Sequence, residues 1–164
     1  MSAAGADSFE LQLSLPLPDE VQLRRRFAAP REALFEAFTR PERVQRWCCG
    51  PEGWSLPVCR IEARCGGCLR YEWAGADGRR MGMSGRFIEL RAPERLVHFE
   101  RFDEDWTEGE TRVATEFAAL APGLTLVTVT IRFSGQRGRD RALACGMTAG
   151  MAQGYRRLDA LLLS

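Results

Sequence analysis

The chain contains no lysine, no asparagine and only one histidine, His98, among 164 residues. All 23 basic residues are therefore arginine, and 22 acidic residues bring the net charge to +1. That balance gives no reason to expect nucleic acid or another polyanion as a partner. The arginine bias, with abundant Ala, Gly and Leu, reads as coding composition. "RRR" at 24–26 is accordingly expected to be a strand whose alternate side chains reach water. No secretory h-region opens the chain and no apolar run approaches membrane-spanning length, so a cytoplasmic protein without a membrane span is expected. Thiols stay reduced there, and six cysteines are then not a disulfide framework. G-x-S-x-G, phosphate-loop and dinucleotide signatures are all missing. With one histidine, any Ser-His-Asp or Cys-His arrangement would have to use His98, which sits in a strand pattern between Val97 and Phe99.

What is present describes a single domain of α+β class. Residues 1–8 are small and polar and are expected to be disordered, leaving 9–164 as the domain. "FELQLSL" (9–15) alternates and is a candidate extra strand; "EVQLRRRFA" (20–28) is a clearer one, with Val21, Leu23 and Phe27 on one face. Pro30 and Pro41 each open a short helical stretch within 31–47. From Ser55 to Phe133 strand patterns alternate with turn signals, including the glycines of "CGGC" (65–68) and the Asp-Gly of "ADGR" (76–79). Short connections between consecutive strands predict an antiparallel meander of six or seven strands.

The chain closes on one long helical pattern within about 138–163, carrying Leu143, Met147, Met151, Leu158, Leu161 and Leu162 at helical spacing. Gly146, Gly150 and Gly154 stand four apart on one stripe. Each costs about 1 kcal/mol against alanine inside a helix. Two readings stay open: close packing of the helix on a curved sheet, or room left for a ligand.

Specific words then occur in order: "PREALFEAFTRPERVQRW", "GPEGW", "GG" within "RCGGCLRYEW", "DGRRMGMSGRFIEL", "APERLVHFE" and "GMTAGMAQGYRRLDALL". Over about residues 20–163 the chain resembles the bacterial branch of the family named for the activator of the heat-shock protein 90 ATPase, within the START-like (SRPBCC) superfamily. The resemblance implies a helix-grip, Bet v 1-like fold: a curved antiparallel sheet wrapped around the C-terminal helix, with a cavity between them. Similar proteins usually carry W-W-G-P where this chain has "WCCGP", and Arg-Pro-Gly-Gly where it has "RCGG". The chain is also one residue longer at the first place.

The cysteines allow a metal or redox reading, but the pattern is incomplete. Cys65 and Cys68 have half-knuckle spacing with no second C-x-x-C; Cys48, Cys49 and Cys59 are the remaining candidates. A hairpin lacks the helix N-terminus that commonly activates such a thiol. Cys59 and Cys145 lie on apolar patterns and read as small core residues. No metal, no cofactor and no catalytic residue is expected. Glu72, Glu89, Glu100 and Glu116 lie on strands, where a carboxylate is usually solvated or paired with arginine. In a cavity, one of them could instead serve as a general acid or base.

What remains is an apolar cavity. Its candidate lining is Trp54, Trp73, Phe87 and Trp106 from strands and loops, and Met147, Gly150, Met151 and Tyr155 from the long helix. The leading expectation is a non-enzymatic module that binds a small hydrophobic ligand there. The first alternative is a chaperone-interacting protein like the heat-shock protein 90 activators. Those of eukaryotes carry an additional N-terminal domain, for which this chain leaves no room. The second alternative is a small cyclase- or hydrolase-type enzyme. A homodimer is left open.

Overall fold

The computed structural model describes residues 9–164; the disorder expected for 1–8 lies outside the described residues. One antiparallel sheet holds eight strands: β1 (Gln12–Ser14), β2 (Glu20–Phe27), β3 (Trp54–Ile61), β4 (Cys68–Gly75), β5 (Arg80–Arg91), β6 (Arg95–Phe102), β7 (Thr111–Ala121) and β8 (Leu124–Arg132). Their order across the sheet is β1-β2-β8-β7-β6-β5-β4-β3. The run from β3 to β8 is thus a meander, and β2 closes back onto β8. The expected count of six or seven falls short because the three-residue β1 also pairs, Leu13 opposite Leu23.

Four helices accompany the sheet: α1 (Arg31–Thr39), α2 (Pro41–Trp47), α3 (Gln136–Ala144) and α4 (Met147–Leu162). Both early helices start where proline predicts. Pro30 is the N-cap of α1 and Pro41 the first residue of α2. The C-terminal pattern, expected to be one helix, is two. Gly146 takes a left-handed φ of +85°, and its amide bonds back to the Leu143 carbonyl, ending α3. α4 starts at the next residue. Cys145, expected in the core, is exposed at this break because no element covers the junction.

Period-2 burial in β2 places Val21, Leu23, Arg25 and Phe27 inward. Of the three arginines expected to alternate, Arg24 and Arg26 are half-exposed while Arg25 takes the inward phase and is 5% exposed. Its guanidinium forks onto the Asp159 carboxylate of α4, with Nη1 donating to Oδ1 at 2.8 Å, and lies 4.5 Å over the Phe27 ring. The second half of α4 packs tightly: Gly154, Tyr155, Leu158 and Leu161 are buried, and Tyr155 meets Phe27 edge-on at 5.2 Å. Its first half is less buried: Met147, Gly150 and Met151 are half-buried, with the two methionines still touching the core.

Candidate functional site

Between that first half of α4 and the sheet lies a cavity of about 300 Å³, near the lower end of the usual range for ligand pockets. The inward phases of adjacent strands build its floor. Leu69, Tyr71 and Trp73 come from β4, Met81, Met83 and Phe87 from β5, and Leu96, His98, Glu100 and Phe102 from β6. Thr111, Val113 and Thr115 of β7 and Val129 and Ile131 of β8 continue it. The roof is Met147, Gly150, Met151, Gly154 and Tyr155, a face with helical spacing. Phe38, Val44, Trp47, Cys48 and Gly50 close one side, and Trp106 and Thr107 another.

Seven of the eight candidate lining residues thus stand on the wall: Trp73, Phe87, Trp106, Met147, Gly150, Met151 and Tyr155. Trp54 does not. Its ring packs beside Gly75 and under the Arg79 guanidinium, at 5.4 Å, because the irregularity between Ser55 and Val58 takes the start of β3 out of the inward phase.

The glycine stripe resolves into three different roles. Gly146 breaks the helix. A Cβ on Gly154 would lie 3.2 Å from the Trp47 carbonyl and 3.6 Å from its ring, so this glycine permits close packing of α4 on α2. A Cβ on Gly150 would meet nothing within 4 Å. Close packing is found at Gly154, on α2 and not on the sheet, while Gly150 borders open space.

Sequence reasoning named Glu100 as one of four carboxylates that could face a cavity, but missed His98 beside it. His98 and Glu100 are two apart on β6 and share its inward face. Nε2 of His98 lies 2.7 Å from Oε2 of Glu100. The other three candidate carboxylates are arginine partners, Glu72 with Arg70 and both Glu89 and Glu116 with Arg95. The signal available was the alternation Leu96, His98, Glu100, Phe102 read as a unit. Three buried polar atoms of wall residues have no partner among the described residues: His98 Nδ1, Trp106 Nε1 and Tyr155 Oη. Native interiors leave few such groups unpaired.

The "WCCGP" segment forms a rim. The Cys48 carbonyl caps this edge by accepting the Trp73 indole N–H at 2.9 Å, and the Gly50 carbonyl accepts from Arg157 of α4 at 2.9 Å. Gly50 holds φ at +82°, a conformation that favours glycine. Burial, then the Glu100 charge, pushes the Cys48 thiol up and keeps it protonated. Burial likewise raises the Tyr71 and Tyr155 hydroxyls. Cys59, half-buried behind the wall, is pushed up to about 12 by burial and then by Glu42. Cys65 and Cys68 are both exposed, with Cys65 donating to the Ile88 carbonyl. Among the described residues no three His, Cys, Asp or Glu side chains converge as a metal ion would require.

Residues 28–163 match the family described as Activator of Hsp90 ATPase homolog 1-like protein. A Rhodobacter sphaeroides protein of known structure shares 34% identity and a TM-score of 0.88, over 94% of this chain and 98% of its own. A Chromobacterium violaceum protein shares 27% identity and a TM-score of 0.75, over 88% and 98%. The fold extends to an HSP90 activator from Plasmodium falciparum, at 22% identity and a TM-score of 0.58, over 80% and 89%. A comparison with curated proteins finds no match. The grip of the sheet on α4 is the Bet v 1-like arrangement of these relatives, and the chain belongs to the Activator of Hsp90 ATPase homolog 1-like family.

Proposed function

We propose that this chain is a cytoplasmic, non-enzymatic binding module that takes a small, largely apolar molecule into the cavity between the sheet and α4. The observation that carries this reading is the cavity under the first half of α4. Met147 and Met151 touch the core only in part and also roof a void of about 300 Å³ edged by aromatic rings. Methionine adapts to ligands of varied shape, which suits such a roof. A catalytic reading finds less support: Glu100 is engaged with His98, and among the described residues no hydroxyl or thiol bonds to either of the two side chains.

Native mass spectrometry of freshly purified protein tests for a retained molecule, for metal and for dimers together. A thermal-shift screen against fatty acids, aromatic polyketides and flavonoid-like compounds supplies the second half. Wild-type protein that retains nothing and gains no stability from any compound overturns the reading. Family membership and the fold shared with an HSP90 activator favour one second reading, surface docking on a chaperone. In that case stimulation of a chaperone ATPase would survive substitutions that fill the cavity.

A further inference from the structure

We propose that the cavity selects its ligand by head group: it takes a ring-shaped apolar molecule whose polar end is a protonated amine, and it rejects carboxylates. This deepens the binding-module reading and rests on it.

The first observation is the charge on the wall. The chain has 23 arginines, yet none lines the cavity; among the described residues the one carboxylate on its wall is that of Glu100. Two nearby arginines are paired with carboxylates, Arg25 with Asp159 and Arg70 with Asp103 at 2.8 Å, while Arg157 lies outside the wall and donates to the Gly50 carbonyl at the rim. A ligand carboxylate entering here would meet the Glu100 charge with no guanidinium on the wall to pair with. Burying it unpaired is strongly unfavourable.

The second observation is an unmet supply of acceptors. Glu100 Oε2 takes the His98 Nε2 contact at 2.7 Å, while Oε1 receives no hydrogen bond within the described chain. In the neutral tautomer that donates through Nε2, His98 Nδ1 is an acceptor, buried and without a partner among the described residues. An ammonium carries three donors and no acceptor, so it suits Glu100 Oε1 and an accepting His98 Nδ1; of the other unpartnered wall atoms Trp106 Nε1 only donates and Tyr155 Oη can donate, and the head group does not meet these.

The third is the surrounding surface. Tyr71 and Trp73 lie edge-on at 5.7 Å, Trp73 stacks on Phe102 at 6.2 Å, and Phe102 meets Trp106 at 4.6 Å. Aromatic faces attract a cation, most strongly where water is excluded, and they pack a ring system equally well. The Glu100 field already acts on this space, helping burial to hold the Cys48 thiol and the Tyr71 hydroxyl neutral. The same field stabilises a ligand cation.

Four probes on one ring system isolate the head group: 1-naphthylmethylamine, 1-naphthylmethanol, 1-methylnaphthalene and 1-naphthoic acid. Their affinities are measured calorimetrically on the full chain at pH 7.5, for the wild type, Glu100→Gln and Gly150→Leu. The amine should bind at least about tenfold tighter than the hydrocarbon and the acid, as expected for a desolvated, charge-assisted hydrogen bond. Glu100→Gln should bring the amine to within about threefold of the hydrocarbon while leaving the hydrocarbon unchanged. Gly150→Leu should abolish binding of both, which separates cavity binding from attraction to the surface. Equal affinity across head groups, or tightest binding of the acid, overturns the selectivity and leaves the binding-module reading standing. Absence of binding by all four probes overturns both. The wild-type comparison decides the question even if Glu100→Gln fails to fold.

Discussion

Replacing Gly150 with leucine separates a cavity from a packing defect, because Gly150 and Gly154 share one face of α4 but stand in opposite surroundings. At Gly150 a Cβ meets no atom within 4 Å, and the position roofs a cavity of about 300 Å³. Leucine there recovers about 0.8–1 kcal/mol of helix propensity. Burying its side chain contributes up to about 1.5–3 kcal/mol, less about 0.5–1 kcal/mol of rotamer entropy. The roof is half-buried, so only part of the burial gain applies, and the expected result is stabilisation of about 1–2 kcal/mol with ligand uptake lost. At Gly154 the Cβ alone lies 3.2 Å from the Trp47 carbonyl. Leucine there overpacks the α2–α4 contact and should cost about 1–3 kcal/mol even after its propensity gain. Urea unfolding followed by tryptophan fluorescence, with calorimetric uptake of 1-methylnaphthalene, measures both quantities. The reasoning fails if the two substitutions destabilise alike, or if Gly150→Leu retains full uptake.

The remaining predictions concern charge and sulfur. Asp159→Asn strands the buried Arg25 guanidinium; with Asp159 itself 41% exposed, the loss should be about 2–3 kcal/mol, below that of a fully buried pair. Adding Arg25→Met should restore part of it in urea unfolding, and strictly additive losses would contradict the pairing. In timed alkylation at pH 8, the exposed Cys65, Cys68 and Cys145 should label fast and Cys48 only on unfolding; fast labelling of Cys48 refutes its burial. Purified protein should hold no stoichiometric zinc, and one zinc per chain by elemental analysis would refute that. Cys48 and Cys59 are neutral in the fold above their ordinary value of 9.0, whereas the unfolded chain ionises there. Their contribution is therefore fully present below pH 9 and is lost as pH rises from 9 towards 12. Cys59→Ala should flatten that alkaline decline of the unfolding free energy, and an unchanged slope would remove the assignment.

The order of elements was legible in the sequence because local signals set it. Alternation in Val127–Phe133 and in Leu69–Trp73 exposes a period-2 face whatever the partner strand, and Pro30 and Pro41 start helices through their own ring geometry. Tyr155, Met147 and Met151 could be assigned to one helix face for the same reason. Tertiary structure decided what those faces meet. Gly150 and Gly154 are identical in sequence terms and both line the cavity, yet a Cβ meets open space at the first and the Trp47 carbonyl of α2 at the second. The strand period puts Arg25 on the inward phase with Leu23 and Phe27, but its partner Asp159, 134 residues later and 2.8 Å away, is set only by the fold. His98 and Glu100 read as separate strand residues until the sheet curls and leaves them facing a cavity rather than a packed core. Periodicity is a property of neighbouring residues along the chain. Whether a given face is filled, paired or left open depends on distances between elements far apart in sequence, and only the closed fold sets those distances.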